Sequence, residues 1–146
     1  MATWHRLAEP SDQRRALWTN GADRTRWATC GQAWDAVAIT PISRGLDVLT
    51  AMCLDPRNGH PVIADQLSDV LYVLVPSGSG RAAAGLRGVR VLSTGDYLMV
   101  PTTEPGSPAA YWISPPHDTT PLRLVRTDRL IHHLNRLTPD TRRQSP

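Results

Sequence analysis

Neither lysine nor phenylalanine occurs in the 146 residues, so arginine supplies all 16 basic side chains. Codon usage in a GC-rich genome accounts for both absences, because Lys and Phe codons are AT-rich. Without lysine there is no Gly-Lys-Ser/Thr, and hence no P-loop. Cysteine is scarce: Cys30 and Cys53 belong to no CxxC pair, which argues against a zinc ribbon, a redox motif or a secreted disulfide scaffold. Both read as reduced, partly buried small apolar side chains. No run approaches the roughly 20 apolar residues of a membrane span. Trp4, His5, Arg6 and Glu9 stand where a signal peptide needs a continuous apolar stretch. The expectation is a cytoplasmic bacterial protein with no membrane partner.

What remains is enough for one core, since a chain of this length buries about 68% of its unfolded surface without disulfide or metal support. Ser11 is placed to cap a helix over 12–18, Asn20-Gly21 breaks it, and 22–30 read as a further helical turn or two. Residues 34–39 alternate loosely and stop at Thr40-Pro41, as a strand covered on both faces does. Ser43 is expected to cap a helix to about Leu54, with Leu46, Leu49 and Cys53 on one face and Asp55-Pro56 ending it. Short β-branched or aliphatic runs at 61–64, 70–75, 88–92 and 97–100 predict strands. A Pro-rich loop over 101–108 then leads to another strand at 111–113. A last helix starts from Thr127 as N-cap, with Leu130, Ile131, Leu134 and Leu137 on one face. The expected fold class is α+β: a mixed, largely antiparallel sheet with flanking helices in a single domain. Residues 1–33 read as a helical segment packed on a domain spanning 34–137, and 138–146 as a disordered tail.

Net charge is +3, but unevenly spread. Residues 1–34 hold five Arg against three acids, 35–122 five against eight, and 123–146 six against two. Basic ends could favour an anionic partner, although a solvated surface explains them equally. Trp4, Trp18, Trp27 and Trp34 lie among Arg14, Arg15, Arg24 and Arg26. Such a set either anchors a helical layer on a sheet or stacks single-stranded bases, with Trp18 and Trp27 the candidates for stacking.

Motifs for chemistry are few. His60, Asp65 and Asp69, with His117-Asp118 and His132-His133 further on, lack metal-ligand spacing, and adjacent helical histidines point about 100° apart. Ser77-Gly78-Ser79-Gly80 does not fit GxSxG. With Arg81 it follows a strong strand, however, and its amides could surround a phosphate. Ser77, Ser79, Gly80, Arg81, Arg87 and Arg90 are therefore the candidates for phosphate or nucleic-acid contact; a flexible connection is the alternative reading of the loop.

Val70-Leu71-Tyr72-Val73-Leu74-Val75-Pro76 is followed by Gly88-Val89-Arg90-Val91-Leu92, by Gly95-Asp96-Tyr97-Leu98-Met99-Val100-Pro101, and by Gly106 leading to Tyr111-Trp112. This succession, within residues 34–116, resembles the N-terminal domain of bifunctional DNA primase/polymerases. These form the prim-pol branch of the archaeo-eukaryotic primase superfamily, and the likeness is greatest to its short relatives in high-GC bacteria. In active relatives two acids spaced Asp-x-Asp, on a strand after a Gly-Leu segment, clamp the divalent ions of polymerisation. A Ser-x-His contacts the nucleotide. Laying Gly45-Leu46-Asp47-Val48-Leu49 on the Gly-Leu segment puts Thr50 and Met52 at the acid positions and Ser68-Asp69-Val70 at Ser-x-His. The resemblance then implies a degenerate domain with no catalytic residues, no metal and no cofactor. Its expected partner is a nucleic acid, a nucleotide or a protein. Two alternatives stand beside it: an assembly module docking a protein through Trp and Pro-rich surfaces, and a residual phosphotransfer enzyme in which Asp65 and Asp69, with Asp47 in reserve, hold a relocated divalent ion. The oligomeric state is not legible in the sequence.

Overall fold

The strands in chain order are β1 (Thr25–Thr29), β2 (Trp34–Ile39), β3 (Val62–Asp65), β4 (Val70–Pro76), β5 (Val89–Leu92), β6 (Tyr97–Pro101) and β7 (Tyr111–Ser114). The helices are α1 (Thr3–Ala8), α2 (Asp12–Thr19), α3 (Ile42–Ala51) and α4 (Thr127–Arg136), and 3-10 turns occupy Pro56–Asn58 and Gly80–Ala83. These come from a computed structural model that describes residues 3–19, 25–103, 105–117 and 122–137. The expected Asn20-Gly21 break and the tail beyond 137 lie outside the described residues.

The fold is α+β. The apolar run of β4 is the central strand of a five-stranded sheet ordered β5-β2-β4-β3-β7, and each pairing is antiparallel. Because side chains alternate across a strand, β2 and β4 feed two separate cores. Val37, Ile39, Leu71, Val73 and Val75 meet Leu46, Val48 and Leu49 of α3 and Leu130 and Leu134 of α4. Ala36, Ile63 and Leu74 meet Leu98 and Val100 on the opposite face. Each fully buried Leu, Ile or Val side chain contributes about 1.5–3 kcal/mol, so neither layer is dispensable. Gly45 lets α3 approach closely: a methyl there would meet Leu71 Cδ2 at 2.4 Å.

The second layer departs from expectation. Thr25–Thr29, read as part of a helical turn, is instead strand β1 and pairs with β6. β1 precedes β2 directly and β6 follows β5 directly, while β2 pairs with β5. The four strands are therefore two arms of one long antiparallel ribbon, bent at residues 30–33 and 93–96 so that its outer half folds over the sheet. Two helix starts also differ. Ser11 does cap α2, accepting from the Arg14 amide at 3.1 Å. The N-cap position of α3 is Pro41 rather than Ser43, and the Ile42 amide is taken by the Asp69 carboxylate at 3.1 Å. At α4, Thr127 is the first helical residue, Arg126 the N-cap, and the Thr127 hydroxyl bonds to Ser79 Oγ.

The N-terminal helices are held by their aromatic residues. Trp4 is buried and its Nε1 donates to the Leu54 carbonyl at 2.9 Å. Trp18 packs on Tyr111 with ring centroids 5.2 Å apart and donates to the Pro105 carbonyl at 2.9 Å. Arg14 lies 5.2 Å from the centroid of the Tyr111 ring, whose hydroxyl donates to the Ala8 carbonyl at 2.7 Å.

Candidate functional site

The glycine loop after β4 has internal partners. The Gly80 amide donates to Asp35 Oδ2 at 2.9 Å, and the Ser93 hydroxyl to Asp35 Oδ1 at 2.9 Å. Asp35 is fully buried. Ser77 Oγ donates to the Gly31 carbonyl, and Ser79 Oγ to the Pro76 carbonyl at 2.6 Å. The loop thus closes over an aspartate of the chain itself and braces the ribbon's bend. The arginines expected to act together are divided. Arg81 borders a cavity of about 700 Å³ with Arg126, Thr127 and Ile131 of the α4 side. Arg90 lies across the sheet from it, on the face that carries the ribbon, because Ala38, its partner in register, points opposite to Val37 and Ile39.

Beside the ribbon that face is open. A cavity of about 390 Å³ is lined by Ala38, Thr40, Ser68, Val70, Tyr72, Gly88, Val89 and Arg90, within the size range of small-molecule sites. Arg90 on β5, Ala38 on β2 and Tyr72 on β4 form one row across three strands. Burial raises the Tyr72 phenol above its usual range, the Asp65 charge adds to this, and Arg90 opposes it. The phenol therefore stays protonated at neutral pH and can donate beside the guanidinium.

Arg44 was not singled out by sequence, although its place on the apolar stripe of α3, one turn before Val48, was a legible signal. Its side chain is 8% exposed. Nη1 donates to the Arg87 carbonyl and Nε has no partner. Among the described residues no carboxylate pairs with it, and burial alone lowers its pKa. Arg44 reaches the Gly88 rim of the cavity from the helix side: with φ at +73°, a methyl on Gly88 would meet Nη1 at 2.8 Å and the Thr40 carbonyl at 3.0 Å. Arg87 is exposed on the same loop.

The carboxylates kept in reserve have other bonds. Asp47 pairs with His5 at 2.8 Å, Asp65 Oδ1 accepts from the Ser68 amide at 3.0 Å, and Asp69 caps α3. Among the described residues no three His, Cys, Asp or Glu side chains group so as to hold a metal ion. Thr50 and Met52, laid on the strand acids of prim-pol domains, are at the end of α3 and its C-cap, and Thr50 Oγ1 donates to the Leu46 carbonyl at 2.9 Å. The strand that follows α3 is β3, ending in Asp65. Of the stacking candidates, Trp18 is bound to Pro105 and Tyr111, whereas Trp27 is 64% exposed.

The fold and cavity define an α+β domain with one open sheet face bearing arginine. No protein-family model matches the chain, and comparison with curated proteins and with solved structures finds no match. Among the described residues no helix is long and apolar enough to cross a membrane.

Proposed function

We propose that the chain is a binding domain for a phosphate-bearing ligand, a nucleotide or nucleic acid, of prim-pol-like descent and without polymerase chemistry. The observation that carries this reading is Arg44, a guanidinium 8% exposed with no carboxylate partner among the described residues. A buried charge is strongly unfavourable unless an opposite charge offsets it. A phosphate at the cavity supplies that charge. Arg90 and the Tyr72 hydroxyl contact its oxygens, Arg87 adds to the field, and Ala38 and Val70 give the sugar or base an apolar wall. The prim-pol-like order of strands supports the same ligand class, because it brings the Tyr-bearing strand and the Gly-Val-Arg strand to this face.

The test is fluorescence anisotropy of a labelled oligothymidylate titrated with the protein over a salt series. Arg90→Ala is expected to weaken binding about tenfold or more and to lower the slope of log affinity against log salt by about one unit. An affinity independent of salt, or equal in wild type and variant, refutes the reading.

A further inference from the structure

The donors around the open cavity come from four separate places in the chain. Arg90 lies on β5, Tyr72 on β4, Thr40 directly after β2, and Ser68 in the turn between β3 and β4. Gly88 completes the rim, and its missing side chain leaves room for Arg44, whose Nη1 would stand 2.8 Å from a methyl placed there. The exposed Arg87 is the residue before it. Two carboxylates stand nearby, and neither lines the cavity. Asp65, close enough to act on the Tyr72 phenol, accepts from the Ser68 amide at 3.0 Å, and Asp69 accepts from the Ile42 amide at 3.1 Å. The guanidinium groups of Arg90, Arg44 and Arg87 therefore leave a positive balance even when both acids are counted. An internal phosphodiester uses this set poorly, because it has a single charge, two free oxygens and two ester arms that both need an exit. A phosphate monoester carries about −1.5 to −2 charge near neutral pH, presents three acceptor oxygens and leaves by one arm. A volume of about 390 Å³ is near the lower end of the range for small-molecule sites, and suits a terminal group with its sugar rather than a length of strand.

We infer that the cavity selects a phosphate monoester, with Arg90, Tyr72, Thr40 and Ser68 around its three terminal oxygens and Arg44, behind Gly88, supplying charge. This rests on the phosphate-binding reading and deepens it, by assigning the site a terminal phosphate rather than phosphate in general. Two sources present that group: a free mononucleotide and the 5′ end of a strand. The hydroxyls of Thr40 and Ser68 then act as specificity determinants, since the third oxygen is what distinguishes monoester from diester.

The test is calorimetric titration of the full chain at low salt with four probes: thymidine 5′-monophosphate, its methyl ester, and oligothymidylate with and without a 5′-phosphate. The monophosphate is expected to bind about tenfold or more tighter than its methyl ester. Thr40→Val and Arg44→Met, each checked for fold by circular dichroism, should weaken the monophosphate about fivefold and tenfold and narrow its lead over the ester. Arg90→Ala should weaken every probe. No histidine lines the cavity, so the lead should grow as pH rises through the ligand's second ionisation, at about pH 6. The oligonucleotide arms identify the source: a gain from the 5′-phosphate comparable to that of the monophosphate assigns the strand end, and no gain there assigns the free nucleotide. If monophosphate and ester bind equally while Arg90→Ala weakens both, the monoester inference is overturned and the phosphate-binding reading stands. A preference that survives both Thr40→Val and Arg44→Met also overturns the inference, because the terminal phosphate then sits elsewhere. If no probe binds, both readings fall.

Discussion

Asp35 and Arg44 are both buried, yet their charges are met in different ways. Asp35 accepts two hydrogen bonds from within the chain, whereas the charge of Arg44 is left to a lone carbonyl. Replacing a buried charge by an apolar side chain of similar volume is often neutral or stabilising. Arg44→Met is therefore expected to keep its unfolding free energy in urea to within about 1 kcal/mol, the value of the one hydrogen bond lost, while nucleotide affinity falls about tenfold. A loss of stability of several kcal/mol with affinity retained makes Arg44 a structural residue. The thiols give a pH prediction. Burial, aided by the charges of Asp96 and Asp35, pushes Cys30 up to about 11. An unfolded thiol ionises near pH 8.5, so the folded state holds the proton more tightly. The resulting stabilisation is complete below pH 8.5 and is lost as pH rises toward 11. Ellman's reagent at pH 8 should count one reactive thiol, the exposed Cys53, and two after denaturation.

Among the elements, the bent ribbon is the most distinctive and was the least legible. Its two arms meet at Asp35, where the Ser93 hydroxyl and the Gly80 amide converge. Asp35→Ala leaves the buried Gly80 amide and the half-buried Ser93 hydroxyl without their acceptor, at about 1–3 kcal/mol for a fully buried donor and less for the hydroxyl. The expected result is a loss of about 2–5 kcal/mol in urea unfolding, with faster amide exchange in 26–30 and 97–100. Unchanged exchange there means the corner does not depend on this carboxylate. The sheet strands could be read from sequence because each is a short apolar or β-branched run between turn residues. β1 could not: Thr-Arg-Trp-Ala-Thr offers the sheet only Ala28 on its inward side, and its partner lies some 70 residues away. The caps of α3 and α4 failed for a related reason. Asp69 reaches α3 from 27 residues further along the chain, so no local capping pattern reveals it. The arginines of the candidate site were visible as residues, but their division between the two sheet faces depended on strand parity and on the path of the glycine loop.

For the whole molecule, one sheet serves two purposes. Its helix face is closed by α1, α3 and α4 around the larger core. Its other face is only partly closed, because the folded ribbon covers one end and leaves Arg90 exposed and Tyr72 half-buried beside it. Net charge is only +3, too little for affinity by bulk attraction, so the account requires a local site. The most direct test is a two-dimensional 15N NMR titration with thymidine monophosphate at low salt. Shifts are predicted to concentrate at residues 38–40, 68–72 and 87–90, with the Arg44 Nε resonance moving alongside them and the Arg81 loop unperturbed. Shifts centred on residues 77–82 and 126–131, or shifts absent at millimolar nucleotide, contradict the account.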